Sequence, residues 1–135
     1  MGEPATGRCL CGAVSFEVTG AFEGFFLCHC SRCRRGTGSA HAANLFSSTA
    51  QLVWLTGERS AKRFRLAGTR HERCFCAECG AALPYVEEES GWVVIPAGSL
   101  DGPVLTRPDA HICWASRADW DEGLDAVARI DGLPE

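Results

Sequence analysis

The sequence predicts a mainly β protein of packed antiparallel sheets with irregular loops, and three observations carry that prediction. Apolar residues recur with a period of two. Turn-forming residues, 15 Gly and 6 Pro, are spread along the whole chain. No stretch of ten residues or more holds a 3.6-residue apolar period. A length of 135 residues suits one domain spanning 1–135, enough chain to bury its own core. Hydrophobic residues at 46% and charged residues at 22% are globular proportions, against disorder or a fibre.

The elements follow in order. Val14, Phe16 and Val18 alternate with Ser15 and Glu17, the mark of a half-buried strand, and Arg63-Phe64-Arg65-Leu66 alternates cation with hydrophobe in the same way. Leu52–Leu55, Ala81–Val86 and Trp92–Ile95 are short apolar runs bounded by Gly, Pro or charge, expected as strands buried on both faces. His111–Trp114 is expected as one more. Helical signal is weak: Ser116–Trp120 is a candidate single turn, with Ser116 capping ahead of Asp119. Asp125–Ile130 reads equally as a short helix or a final strand.

Charge and hydropathy then narrow the function classes. Thirteen basic against 17 acidic residues give a net charge of -4, so bulk charge gives no support to a nucleic-acid partner. No apolar run approaches the roughly 18 residues of a membrane span, and Met1–Arg8 has neither a basic start nor an apolar stretch. The expected location is therefore cytoplasmic, with no membrane partner.

Nine of the 135 residues are cysteine. An odd count in a reducing compartment fits a disulfide framework poorly, which leaves metal binding or thiol chemistry. Eight of the nine fall in three clusters: Cys9-Leu10-Cys11, Cys28-His29-Cys30-Ser31-Arg32-Cys33 and Cys74-Phe75-Cys76-Ala77-Glu78-Cys79. The last two both spell C-x-C-x-x-C with unmatched flanks, so the chemistry is repeated and the domain is not. A lone cysteine is most simply a small buried hydrophobe, as is expected of Cys113. Eight at one- and two-residue gaps call for a soft metal, with zinc the first expectation. Gly12 and Gly80 each follow the last thiol of a cluster, where a knuckle needs a positive φ. Spacing alone leaves two partitions open: two closed Cys₄ sites, or one closed site of Cys9, Cys11, Cys76 and Cys79 beside an open one of Cys28, Cys30 and Cys33, with Cys74 spare. A closed site holds a fold, whereas an open one can bind substrate.

With Gly7-Arg8-Cys9-Leu10-Cys11-Gly12-Ala13-Val14, then Cys28 to Gly38, then Phe75-Cys76-Ala77-Glu78-Cys79-Gly80, the chain resembles the glutathione-dependent formaldehyde-activating enzyme family, whose zinc domain centromere protein V shares. His111-Ile112, Trp120 and Asp131-Gly132-Leu133-Pro134 are similar to it as well. The resemblance implies the second partition, with a structural zinc on Cys9, Cys11, Cys76 and Cys79 and a second, open zinc on Cys28, Cys30 and Cys33. It also implies a β-tent fold like that of the methionine-R-sulfoxide reductases. The implied activity is of the carbon–sulfur lyase class, joining glutathione and formaldehyde into S-hydroxymethylglutathione. Cys74 and Cys113 depart from the family pattern.

The expected chemistry is a small thiol, glutathione for one, held as thiolate at the open zinc for attack on an aldehyde carbon. Arg32, Arg34 and Arg35 cluster beside that site, and Arg32 and Arg35 are the candidates to grip a substrate carboxylate. The alternative for them is a solvated surface. His111 is the candidate acid–base group, while His29, between two ligands, is expected to be structural. Trp54, Trp92, Trp114 and Trp120 are expected as core or rim aromatics. Two other function classes remain: a non-catalytic, zinc-stabilised binding module, or a thiol redox enzyme with Cys113 as nucleophile.

Overall fold

A computed structural model describes residues 4–134. Among the described residues, eleven strands form three sheets around one buried cluster. The first sheet joins β1 (Ala5–Arg8), β2 (Ser15–Thr19) and β5 (Gln51–Thr56) in antiparallel pairs, in the order β1-β2-β5. The alternation read at Val14, Phe16 and Val18 holds, for all three side chains are fully buried. Phe16 meets Trp54 of β5 edge to face, with ring centroids 6.1 Å apart.

The second sheet has the order β11-β3-β4-β10-β9 and carries the centre of the core. Its members are β3 (Gly24–Cys28), β4 (Ala42–Ser47), β9 (Tyr85–Val86), β10 (Val93–Pro96) and β11 (Ala110–Ile112). Leu45 of β4 and Ile95 of β10 face each other in register and are wholly buried. Trp92–Ile95 matches its expectation at Val93, Val94 and Ile95, all buried. One pairing departs from the antiparallel rule: β11 runs parallel to β3, with Ile112 opposite Cys28. A parallel pair needs a long crossover, here the whole chain between residues 28 and 110.

The third sheet is β6 (Ala61–Arg65), β7 (Glu72–Cys76) and β8 (Ala82–Leu83). Here two expectations change. The hydrophobes alternating with arginine are not buried: Phe64 and Leu66 are exposed, because the face of this sheet turned to the core is the one that carries Cys74 and Leu83, and Phe64, paired with Arg73, lies on the other. Ala81–Val86 is not one strand but β8 and β9 in different sheets, parted at Pro84, which has no N–H to continue a ladder. Leu52–Leu55 also lies on an edge strand, with Val53 and Leu55 exposed, rather than buried on both faces.

Helix enters where periodicity gave no sign of it. Ser31–Thr37 forms α1, seven residues long and too short to display a period. Its caps are local: the Cys30 sulfur accepts from the Cys33 backbone N–H at 3.3 Å, and Gly38 closes the C-terminus in the left-handed region, its N–H donating to the Arg34 carbonyl. The turn expected at Ser116–Trp120 comes earlier, as a 3₁₀ turn at Trp114–Ser116 entered from Cys113, so Ser116 ends it and caps nothing. Between the two readings of Asp125–Ile130, the chain takes a 3₁₀ turn at Leu124–Ala126 and no strand. No helix among the described residues is long and apolar enough to cross a membrane.

Candidate metal centre

Strand ends bring the cysteines together. The turn from β1 to β2 carries Cys9 and Cys11, and the turn from β7 to β8 carries Cys76 and Cys79. All four sulfurs lie within 4.8 Å of one another. Both turns are the knuckles anticipated from the glycines: Gly12 has φ 82° and Gly80 φ 77°. The Gly80 N–H donates to the Cys76 carbonyl at 2.7 Å, and that of Gly12 to the Cys9 carbonyl at 3.3 Å. Backbone donors also reach the sulfurs, Val14 N–H to Cys9 at 3.3 Å and Glu78 N–H to Cys76 at 3.3 Å. Such donors favour thiolate over thiol. The backbone N–H groups of Ala81 and Cys11 hold Cys79 down at about 6. Although the Ala13 N–H favours its thiolate, Cys11 is pushed up to about 11 by the Cys9 sulfur beside it. Four adjoining thiolates thus call for a cation to carry their full charge.

The second cluster sits where β3 runs into α1. Cys28, Cys30 and Cys33 bring their sulfurs within 4.8 Å of one another. Burial, and then the Cys28 sulfur, drive Cys33 well above the ordinary thiol range. At Cys30 burial is outweighed by the Cys33 N–H and the neighbouring sulfurs, and its pKa falls. Four soft donors in one set and three in the other match the closed and open patterns of a tetrahedral thiophilic metal.

Cys74 belongs to neither set. It is buried in the core, and burial pushes its thiol up to about 11, so it stays protonated at neutral pH. The closed pair of Cys₄ sites, the first partition, is thereby without its eighth thiol from Cys74.

Cys113 is not the buried hydrophobe expected of it. It is exposed, and the Cys28 thiol donates to its sulfur at 3.9 Å. The sequence held no signal for this, because the approach depends on the parallel register of β11 on β3.

Around the open cluster stand three histidines. His29, expected to be structural, is fully buried and is not a member of the metal set. Its Nε2 lies 2.8 Å from Nδ1 of the exposed His111. Its Nδ1 is 3.2 Å from Oδ2 of Asp121 but makes no hydrogen bond. Burial, and then His41, lower the His29 pKa. Trp114 packs edge-on against His29 with centroids 4.9 Å apart and carries Arg117 over its ring. Trp92, Trp114 and Trp120 are rim aromatics, exposed by more than a third.

A cavity of about 210 Å³ opens beside Cys33, lined among others by Thr37, His41, His71, Arg73 and Cys74. Arg73 lies along α1, where a Cβ on Gly36 would come within 2.9 Å of its Cδ. Arg32 and Arg35 sit on the exposed side of α1 and do not line this cavity.

A β protein with one four-thiol and one three-thiol cluster at its strand ends is a candidate metalloprotein with a closed and an open centre. The model of the family described as "Glutathione-dependent formaldehyde-activating enzyme" matches residues 4–116, and the chain belongs to that family. Its fold is similar to the crystal structure of a Rhodobacter sphaeroides protein solved in structural genomics. The TM-score is 0.57 at 24% identity, covering 78% of this chain and 98% of that one. Among curated proteins none matches.

Proposed function

We propose that the chain works as one domain with two zincs, a structural one on Cys9, Cys11, Cys76 and Cys79 and a working one on Cys28, Cys30 and Cys33. The working centre makes or breaks the carbon–sulfur bond of a small thiol adduct of the S-hydroxymethylglutathione type. The observation that carries this reading is the cavity of about 210 Å³ that reaches Cys33. It is smaller than the roughly 300–1,000 Å³ of pockets that enclose a drug-sized ligand, so it suits the thiol end of a substrate more than a whole tripeptide. Family membership supports the reaction type.

A zinc held there supplies positive charge that keeps a thiol ionised near neutral pH. The chain's own residues do the rest. The thiolate sulfur bonds to the aldehyde carbon, the C=O π pair moves to oxygen, and the resulting alkoxide takes a proton. We assign delivery of that proton to His111, which is exposed and whose Nδ1 lies 2.8 Å from Nε2 of His29. Arg32 and Arg35 on the exposed side of α1 offset the thiolate charge and attract the substrate's carboxylates outside the cavity, while Arg73, which lines it, adds positive charge beside the thiol end. An Arg35→Ala variant with unchanged affinity for the thiol would remove that residue from the site.

The test follows formation of the adduct from glutathione and formaldehyde by NMR of its new methylene, with the two-zinc protein present. Formation faster than in buffer supports the reading, and His111→Ala is expected to slow it about a hundredfold at unchanged zinc content. A rate equal to the uncatalysed one favours instead a zinc-stabilised binding module, for which the approach of Cys113 to Cys28 speaks.

A further inference from the structure

We propose that Cys113 is a displaceable fourth ligand of the three-cysteine centre, closing it at rest and giving up its place to an incoming thiol. The inference rests on the reading that Cys28, Cys30 and Cys33 hold zinc, and it concerns a residue outside that set. Sulfurs about 2.3 Å from a tetrahedral zinc lie ~3.8 Å apart. The Cys28 and Cys113 sulfurs are 3.9 Å apart, the length of one such edge. Yet Cys113 is not among the thiols that are all mutually within 4.8 Å. It stands against one corner of the trio, in solvent, where a side-chain rotation would bring it to the metal or release it.

Its backbone fits that place. Ile112 pairs with Cys28 and its carbonyl accepts from the His29 N–H at 3.0 Å, so the next residue must fall beside the ligand loop. Cys113 leaves the strand with φ 56°, the one non-glycine with positive φ among the described residues. That turn keeps it next to Cys28 instead of continuing along the sheet edge.

The exchange balances without any further reactant. An incoming thiol R–SH loses its proton and takes the fourth position, the bond from Cys113 to the metal breaks, and the departing Cys113 sulfur takes the proton. Binding of a thiol to the native protein is then proton-neutral. Without Cys113 the displaced group is water, and the proton goes to the solvent.

The test compares native protein with Cys113→Ser and Cys113→Gly, the glycine suiting the positive φ without strain. X-ray absorption of the two-zinc forms should give about 4 sulfurs per zinc in the native protein and about 3.5 in both variants, by the tetrahedral rule. Loss of only the second zinc from the variants supports the same assignment. With 2-mercaptoethanol as probe, affinity should be flat with pH for native protein and rise about tenfold per pH unit for the variants below the probe's own pKa. Equal sulfur numbers in native and variant proteins, or equal pH slopes, overturn the proposal. One zinc in the native protein overturns the underlying reading as well, so metal content separates the two failures.

Discussion

Cys76→Ser is expected to yield a chain that does not fold. Cys76 ends β7 wholly buried, its N–H and carbonyl hold the knuckle, and its sulfur is one corner of the four-thiol set. A structural zinc contributes about 10–16 kcal/mol in small domains. The whole folded state of a domain is worth roughly 5–15 kcal/mol. Losing the metal therefore consumes the margin, a greater effect than the lost burial of one thiol. Circular dichroism and zinc analysis check this, with Cys74→Ala as control. Cys74 is equally buried but outside the set, so that variant should fold and keep its metal. A folded Cys76→Ser protein with full zinc content would falsify the structural role of this cluster.

The second large effect is expected at Cys33, on activity and not on folding. Cys30 is a poorer choice for the experiment because its sulfur also caps α1, so its loss would mix helix stability with metal binding. Cys33→Ala should keep the first zinc and a near-native melting temperature. Affinity for the second zinc should fall about a hundredfold or more, at least the loss seen when mere outer-shell partners are removed. Adduct formation should fall to the background rate. Competition with a chelator measures the affinity, and unchanged retention of both zincs in this variant would remove Cys33 from the centre.

Local chemistry was legible in the sequence and distant geometry was not. The gaps within each cysteine cluster, and the glycines after Cys11 and Cys79, are short-range features, and both knuckles form as read. Which cluster joins which came from resemblance alone, since spacing says nothing of how the β1–β2 turn meets the β7–β8 turn. Alternation misled at β6, because a period of two marks a two-faced strand without saying whether another layer covers the apolar face. Helix α1 escaped notice because seven residues between two ligands are organised by caps and not by an apolar stripe. The contacts of His29 with His111, and of Cys28 with Cys113, arise from the register of one parallel edge strand, which no local pattern encodes.

The four-thiol cluster also shapes how the molecule is assembled. Its two knuckles are ends of a loop spanning residues 12–75, which contains most of two sheets and the helix. Closing so long a loop is entropically costly, and contacts of that sequence separation form late. Metal capture then adds little to the speed of folding and acts on the reverse process, since interactions absent from the transition state slow unfolding. A metal on this cluster would in that sense act as a latch: the sheets must find each other first, and the ion would keep them from parting.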